Sequence, residues 1–452
     1  MKEDFLLTTP LARRLYHEVA EELPVIDYHN HLSVADLASD RICENIYELW
    51  LKPDPYKHRA MRICGVPERL ITGEGSAREK FFAWCHIFPM LVGNPLYHWS
   101  AMELSRVFGI EELPCDANAQ SIWDRANAVI GDRAYSMLSL LRRFRAEYIA
   151  PCAALNDPLT WTGKKDGLTV APSLRGDDLL LPDRSTLSAL EKNTGIRIAT
   201  LEDYRQAVAQ RLDAFAAVGC RFTDHALDNG FRYLSDDGEN TRRFAGLLAG
   251  EVLGEADRNA LRSQNLRMLG GEYASRNFTL QLHIGAQRTT STRLRELAGA
   301  AGGFASIGNC MDVRSITSLL DDMEQAPAGL PKTVLMTLNP ADNSAVSILS
   351  GSYAKDGMTG LIGQGPAWWW CDHLTGMTEV FESVSAYGVL SAFIGMTTDS
   401  RSVLSFVRHE YFRRVLCKWM GEKAARNELP DSFEALAPVV RAVCYENVRR
   451  VL

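Results

Sequence analysis

The stretch VIDYHNHLS, residues Val25 to Ser33, places two of the chain's ten histidines one residue apart, directly after a short apolar run. The apolar start predicts a short buried strand that leads into the histidines. Side chains alternate along a strand, so His29 and His31 should point to the same side. Two imidazoles on one side at a strand end can hold one divalent metal ion. The His-x-His pattern alone is a weak signal, because histidines are also common in polar loops.

Seven further short apolar runs follow along the chain, at residues 148–155, 168–174, 220–224, 278–285, 332–339, 360–370 and 388–396. Amphipathic stretches with helical spacing lie between several of them, such as residues 201–219 and 373–388. Alternation of strands and helices predicts an α/β fold with a parallel sheet, and eight such repeats favour a closed (β/α)8 TIM barrel.

The chain is longer than a barrel requires, since a plain barrel needs about 250 residues and this chain has 452. We expect residues 1–35 to hold strand one and an N-terminal helix that is capped by Thr9 and begun by Pro10. A mostly helical insertion should span residues 36–145. The remainder of the barrel should occupy residues 146–452, with a second helical insertion at about residues 226–277.

Composition excludes several classes of function. The formal net charge is −7, and an acidic chain without a basic stripe is a poor binder of nucleic acid or of anionic membranes. No apolar stretch reaches membrane-spanning length, and the N-terminus lacks the features of a signal peptide. The ten cysteines are scattered and form no Cys-x-x-Cys pair, which suits a reducing compartment. We therefore expect a cytoplasmic protein.

Polar residues cluster where other strands should end. They are Asp224 and His225 after strand four, His283 in strand five, and Asp399 with Arg401 after strand eight. Any one of them has a simpler interpretation as a helix cap. Asp399 could cap a helix that begins near Ser402, capping and function are equally favoured for Asp224, and capping is favoured for His225. Polar clusters at several strand ends together are typical of a TIM-barrel active site.

Other histidines are interpreted as structural. His98, His373 and His409 lie in helix-like sequence, where packed or solvated histidines are more common than metal ligands. The segment RHEYFRR, residues 408–414, is interpreted as a helix end lined with solvated charge.

Several blocks of the sequence resemble, in order, those of the uronate isomerase family of the amidohydrolase superfamily. The blocks are DYHNHL, YKHRAM, GNPLYHW, QLHIGAQR, WWWCDH and GMTTDSRSVLSFVRHEYFRRVLC. The similarity runs from about residue 4 to the C-terminus and is weakest at about 110–220. The resemblance implies a metal-dependent amidohydrolase-type barrel with one divalent ion, for which zinc is expected. It also implies interconversion of hexuronates with keto-hexuronates, D-glucuronate with D-fructuronate and D-galacturonate with D-tagaturonate.

The resemblance also implies roles for individual residues. His29, His31 and Asp399 correspond to metal ligands, and the residues implied in catalysis are Asp399, Tyr56, Arg401 and His283. Substrate-binding positions are Arg175, Arg401, Asp224, Trp368, Trp369 and His58. Independently, an arginine suits a substrate carboxylate, because its planar fork binds a carboxylate bidentately. An indole suits the apolar face of a sugar, although core packing must account for at least one of the three consecutive tryptophans.

Three segments depart from the family pattern. Pro55 stands where the family usually has a histidine before the tyrosine. His58, three residues further on, could compensate if the segment is helical, because such positions share a helix face. The segments ALNDP after strand two and LRGDD after strand three also differ from the more common sequences of the family at these positions. These departures bear on substrate choice and rate and leave the implied metal ligands intact.

We predict an aldose–ketose isomerase that moves a proton between C2 and C1 of an open-chain hexuronate with the help of a metal ion. One alternative is a metal-dependent hydrolase of an acidic sugar derivative or lactone, because a metal-bound water beside Asp399 is also amidohydrolase chemistry. The other alternative is a non-catalytic barrel that binds sugar acids. The expected partner is a small-molecule hexuronate, and a homo-oligomer is compatible with the sequence.

Overall fold

The computed structural model describes residues 3–300 and 302–452 of the chain. Its strands are β1 (Val25–Asn30), β2 (Ala146–Ala154), β3 (Gly163–Lys165), β4 (Leu168–Val170), β5 (Ser173–Arg175), β6 (Phe222–Leu227), β7 (Thr279–Ile284), β8 (Ala286–Gln287), β9 (Ser306–Ile307), β10 (Thr333–Thr337) and β11 (Ile362–Gln364). Its α-helices are α1 (Pro10–Leu15), α2 (Val34–Ser39), α3 (Pro55–Ile63), α4 (Ala77–Ile87), α5 (Pro95–Phe108), α6 (Ala119–Ile130), α7 (Met137–Arg143), α8 (Asp177–Leu180), α9 (Arg184–Thr194), α10 (Leu201–Ala217), α11 (Asn240–Ala249), α12 (Glu255–Ser275), α13 (Thr292–Ala298), α14 (Val313–Glu324), α15 (Asn343–Ser352), α16 (Leu374–Tyr387), α17 (Val407–Ala425), α18 (Phe433–Arg441) and α19 (Asn447–Arg449).

The main sheet is parallel and follows chain order. Strands pair in the order β11, β10, β7, β6, β5 and β2, and β1 pairs with the other side of β2. The third predicted strand is split into β4 and β5, which pair with successive parts of β2. The short strand β3 pairs antiparallel with β4. Helices separate most of these parallel strands, as the alternating pattern predicted.

The sheet curves strongly, because strands far apart in the ladder touch one another. β1 and β7 are four ladder steps apart, which corresponds to about 19 Å in a flat sheet. The rings of His29 and His283 nevertheless lie 4.7 Å apart, centroid to centroid. Ile26 and Tyr28 of β1 also share a buried cluster with Val334 of β10. The seven parallel strands therefore wrap around a common interior, as the strands of a barrel do.

The prediction of an eighth strand over residues 388–396 is wrong. These residues form a short helical turn, Leu390–Ala392, followed by an irregular extended segment. Backbone bonds nevertheless hold the end of this segment beside β1, since Asp399 N–H donates to His29 O (3.0 Å) and His31 N–H donates to Ser400 O (2.8 Å). An irregular segment therefore takes the place of the eighth strand and carries Asp399.

Helices occupy the long connections. Helices α2 to α7 lie between β1 and β2, and α11 and α12 lie between β6 and β7. At the N-terminus, the Thr9 side chain accepts a hydrogen bond from Ala12 N–H, and Pro10 begins α1, as predicted. Among the described residues, no helix combines the length and the apolar character that a membrane crossing requires.

Candidate active site

A β-bulge near the end of β1 turns two consecutive side chains into the barrel. Between two paired positions, β1 advances three residues while β2 advances two. The Tyr28 ring stacks on Phe222, with centroids 5.2 Å apart, and His29 Nδ1 lies 3.8 Å from Asp224 Oδ1. Phe222 and Asp224 are two residues apart on β6 and so share one face. The bulge thus aims His29 at the strand ends, a role that bulges often have beside active sites.

Asp399 is the centre of a group of polar contacts. Its Oδ1 lies 3.2 Å from His29 Nε2 and 3.0 Å from His31 Nε2. Its Oδ2 accepts hydrogen bonds from the indole N–H groups of Trp368 and Trp369, both at 2.7 Å. Burial opposes ionisation of Asp399, but the two imidazoles outweigh it and hold the pKa of this carboxyl well below its usual range. The interpretation of Asp399 as a helix cap is therefore not needed.

The backbone at Asp399 is strained and is held from several sides. Asp399 has a φ of 48°, a left-handed conformation that costs free energy for a residue other than glycine. Its N–H group is held by His29 O. Arg408 of α17 donates to the preceding carbonyl oxygen, Thr398 O, at 2.5 Å. Trp369, which donates to the Asp399 carboxylate, has the same φ of 48°. Left-handed backbone thus occurs at the residue whose carboxylate faces the two histidines and at one of its hydrogen-bond donors.

Asp224 and His283 form a second buried group beside His29. Asp224 Oδ2 lies 3.7 Å from His283 Nδ1, and the two residues are 1% and 4% exposed. Burial would raise the pKa of Asp224, but His29, His283 and Arg175 lower it far below its ordinary value. Among the described residues, Asp224 Oδ2 and His283 Nε2 have no hydrogen-bond partner. His225 points the other way, and its Nε2 lies 2.8 Å from the Tyr273 hydroxyl, so it is not a cap.

The donor atoms of this region fit a metal ion. Two sets of three residues bring ligand atoms within 4.8 Å of one another, namely His29, His31 and Cys152, and His29, Asp224 and His283. Imidazole, carboxylate and thiolate are the side-chain ligands that transition metals use in proteins. Buried lone pairs without a partner, as at Asp224 and His283, are costly unless a ligand meets them.

A cavity of about 350 Å³ opens onto this cluster. Nine of the residues implied by sequence line it, and these are His29, His31, Tyr56, Arg175, His283, Trp368, Trp369, Asp399 and Arg401. Asp224 does not line the cavity and reaches it through its contacts with His29 and His283. The residues that line the cavity come from β1, α3, β5 and β7, and from two segments without strand structure. One of these segments follows β11 and carries Trp368 and Trp369, and the other lies beside β1 and carries Asp399 and Arg401.

The arginines at the cavity differ in their ion pairs. Arg175 lies 3.0 Å from the carboxylate of Asp177, and Arg288 lies 2.8 Å from Asp228. Arg401 has no carboxylate within salt-bridge distance in residues 3–300 and 302–452. Because its charge is not already neutralised, Arg401 is better placed than Arg175 and Arg288 to bind an anionic ligand. Arg59 and Arg295 also line the cavity without a carboxylate partner among the described residues, and Arg401 differs from them in lying two residues from Asp399.

Tyr56 and His58 both lie on helix α3, and of the two only Tyr56 lines the cavity. The Asp54 side chain caps this helix, and Pro55 begins it. Tyr56 lines the cavity, and burial raises the pKa of its hydroxyl, with the Asp399 carboxylate adding to the effect. His58 does not line the cavity, and burial lowers the pKa of His58 to about 4. The expectation that His58 compensates for Pro55 therefore finds no support in its position.

The interpretation of residues 408–414 as a solvated helix end is wrong. The segment lies in the first turns of α17, and Arg408 and His409 are 1% and 6% exposed. Arg408 pairs with Asp372, and burial raises the pKa of Asp372 to about 6 although Arg408 opposes the shift. His409 Nε2 lies 2.8 Å from Asp27 Oδ2. The sequence signal was the apolar spacing around these charges, which predicts a buried helix.

Sequence reasoning missed Cys152, which lies among the candidate metal ligands. It also missed the buried ion pairs Arg408–Asp372 and His409–Asp27, which lie next to the backbone that carries these ligands. His373 caps α16 by accepting from Gly376 N–H, and His98 packs against Phe5, so both are structural as expected.

Comparisons with known proteins agree with this geometry. Residues 1–452 match the family model described as glucuronate isomerase. The chain is 38% identical to the uronate isomerase of Caldanaerobacter subterraneus subsp. tengcongensis, an alignment that covers 100% of this chain and 99% of that protein. It is 39% identical to the uronate isomerase of Salmonella paratyphi A, covering 100% and 98%. The crystal structure of uronate isomerase from Thermotoga maritima superposes with a TM-score of 0.92 at 28% identity, covering 100% and 99%.

Proposed function

The chain belongs to the glucuronate isomerase family, and we propose that it interconverts D-glucuronate with D-fructuronate and D-galacturonate with D-tagaturonate. One observation carries this proposal. The chain matches the family over its whole length, and one cavity is lined by the histidine pair, Asp399 and Arg401 together. Hydrolysis and non-catalytic binding are not favoured, because the relatives that match over their full length are named uronate isomerases.

We propose that His29, His31 and Asp399 hold one divalent ion, with zinc as the preferred ion. The support is the spacing of their donor atoms, 3.0 and 3.2 Å between the Asp399 oxygen and the two imidazole nitrogens. When bound, a divalent ion there supplies Lewis-acid polarisation of the sugar's carbonyl oxygen. The unpartnered atoms of Asp224 and His283 provide additional polar contacts at the same place.

Arg401 is proposed to bind the substrate carboxylate. A guanidinium binds a carboxylate bidentately, and Arg401 faces the cavity without a carboxylate partner among the described residues. Arg175, which already pairs with Asp177, neutralises negative charge nearby. The stacked rings of Trp368 and Trp369, 4.5 Å apart, offer an apolar wall for the sugar's C–H face.

Proton transfer begins at C2. Asp399 takes the C2 proton, and the C–H electron pair forms the C1–C2 double bond of an enediol while O1 gains a proton. Loss of the O2 proton then restores a carbonyl at C2, and C1 receives a proton. Tyr56 suits the proton exchange with a hydroxyl, because its raised pKa keeps the phenol protonated. Asp399 must release a contact to act as the base, and His283, whose Nε2 is unpartnered among the described residues, is the reserve base.

Product analysis tests the proposed activity. Purified protein loaded with zinc is incubated with D-glucuronate or D-galacturonate, and the sugars are separated and identified. The expected product is the keto-uronate of each. Hydrolysis of other substrates only would favour the hydrolase, and a bound but unchanged sugar would favour a binding protein. Either result contradicts the proposal.

Isomerisation in heavy water tests the mechanism. Deuterium at C1 of the product is expected, because an exchangeable base carries the proton. Full retention of the original hydrogen at every degree of conversion contradicts proton transfer through a base in exchange with solvent, and indicates a hydride shift.

We also propose a cytoplasmic location. All ten cysteines are free thiols in the structure, as expected for a protein kept in a reducing compartment.

A further inference from the structure

Cys152 lies at the carboxyl end of β2, facing the histidine pair. Its Sγ is 3.6 and 3.9 Å from the two ring nitrogens of His29 and 3.8 Å from Asp224 Oδ1. We propose that Cys152 is a fourth, sulfur ligand of the ion held by His29, His31 and Asp399 in the substrate-free protein. This inference rests on the proposed metal-dependent function.

Three of the six edges of the proposed four-ligand site can be compared with a tetrahedral site. Bond lengths of about 2.0 Å to nitrogen or oxygen and about 2.3 Å to sulfur give edges of about 3.3 Å between N and O and about 3.5 Å between N and S. The N···O distances from His29 Nε2 and His31 Nε2 to Asp399 are 3.2 and 3.0 Å. The Cys152 Sγ to His29 Nε2 distance is 3.9 Å. All three agree with the ideal edges within a few tenths of an ångström.

The surroundings of Cys152 point to a ligand and not to ordinary packing. The buried thiol of Cys220 donates to a backbone oxygen, Phe222 O, at 3.3 Å. Cys152 instead meets imidazoles and a carboxylate. The neighbouring Asp224 Oδ2 and His283 Nε2 are buried and have no hydrogen-bond partner among the described residues. The donor spacing indicates a bound cation beside Cys152. The unpartnered atoms belong to the adjoining set that shares His29, and they indicate that the same region is built to receive a ligand.

His29 belongs to both candidate sets, so two ions could occupy them together only if His29 bridged both through its two ring nitrogens. The set with Cys152 is favoured because it also contains His31, whose Nε2 shares the Asp399 oxygen with His29. A thiolate in this set has two consequences. It selects softer ions, so Zn²⁺ and Co²⁺ should bind better relative to Mn²⁺ than an N/O-only site allows. It also fills the fourth position, so substrate binding must displace a ligand or expand the coordination.

The test uses cobalt as a spectroscopic probe in the full-length protein. Metal-free protein is titrated with Co²⁺, and absorbance is recorded in the near ultraviolet, where thiolate-to-cobalt charge transfer appears, and in the visible. We expect the charge-transfer band in wild-type protein and its loss in Cys152→Ser, while one Co²⁺ per chain still binds. Cys220→Ser is the matched control, since it removes a buried thiol at the opposite end of the barrel strands and should keep the band.

A competition experiment supplies a second measurement. The affinity ratio of Zn²⁺ to Mn²⁺ should fall by at least about tenfold in Cys152→Ser and stay unchanged in Cys220→Ser. Wild-type protein that binds Co²⁺ and isomerises glucuronate without a thiolate band overturns this inference and leaves the proposed function standing. Protein that binds no divalent ion and turns over no uronate overturns both.

Discussion

Two buried polar regions of this protein look alike in composition and differ in how their charges are met. The donor cluster consists of His29, His31, Cys152, Asp224, His283 and Asp399. The ion-pair layer consists of Asp27, Asp54, Lys57, Glu103, Asp372, Arg408 and His409. In the layer each charged group meets an opposite one, as Lys57 does at 2.6 Å from Asp54 and 3.0 Å from Glu103. Atoms without a hydrogen-bond partner occur in both regions within the described part of the chain, namely Asp224 Oδ2 and His283 Nε2 in the donor cluster and Asp372 Oδ1 and Arg408 Nε in the layer. The clearer difference is access to the cavity, which is lined by four members of the donor cluster (His29, His31, His283 and Asp399) and by Asp54 alone of the layer.

The difference separates ligand binding from support. Buried charges are tolerated when they are paired, and donor atoms that line a cavity can meet a ligand. The ion-pair layer also holds the backbone that carries the donor cluster, because Asp27 Oδ2 accepts from Thr398 N–H and Arg408 donates to Thr398 O. Substitutions in the donor cluster should therefore impair metal binding and activity, and substitutions in the ion-pair layer should first impair stability.

The largest effect is expected from the double variant His29→Ala, His31→Ala. Removing both imidazoles leaves only Asp399 and Cys152 of the proposed ligands, so metal content should fall to near zero and turnover by more than about 10⁴-fold, beyond the usual loss for one general base. Metal analysis and glucuronate turnover measure this, with circular dichroism as the control for folding. Unchanged metal content would contradict the assignment of His29 and His31 as metal ligands.

Arg408→Met should lower the free energy of unfolding by about 3–5 kcal/mol, because it leaves Asp372 buried without its partner. Urea denaturation of the metal-loaded protein measures the change. Arg426→Met is the matched control, since Arg426 lies at the exposed end of the same helix and its pair with Glu428 is screened by solvent and contributes little. Equal effects of the two variants would contradict the distinction drawn above.

Arg401→Met should narrow the preference for uronates over neutral aldohexoses. A charge-assisted hydrogen bond contributes about 1.5–3 kcal/mol, so the ratio of kcat/KM for glucuronate to that for glucose should fall by about 10- to 150-fold. The rate with glucose serves as the internal control and should change little. If wild-type protein turned over glucose as well as glucuronate, arginine recognition of the carboxylate would be wrong.

The smallest effect concerns His58, which lies outside both regions. Its pKa is about 4 in the folded protein against 6.5 for the free side chain, so the unfolded state binds more protons between these values. Stability is therefore lost as pH falls below 6.5, by about 1.4 kcal/mol at pH 5.5. His58→Asn should lack this part of the loss in urea denaturation at pH 5.5 and 8. The KM of this variant for glucuronate should stay unchanged. A large rise in KM would indicate that His58 contacts the substrate.

Prediction from sequence succeeded where a local pattern carries the information. The His-x-His pair and the polar end of the last barrel segment are short motifs, and the structure brings His29, His31 and Asp399 together. It failed for residues 388–396, where an apolar run of strand length forms an irregular segment. It also failed for Arg408 and His409, because the charges of residues 408–414 were interpreted as solvated, although the apolar residues among them belong to a helix that is buried on most sides.

Sequence by itself determined the order of the parallel strands, the helical connections and the identity of most residues at the cavity, because periodicity and strand ends are properties of neighbouring residues. Only the tertiary structure decided that a bulge aims His29 toward Asp224, that Cys152 joins the histidines, and that His58 faces away. Each of these depends on which distant segments meet when the sheet closes on itself, and the spacing of residues along one strand or helix does not contain that information.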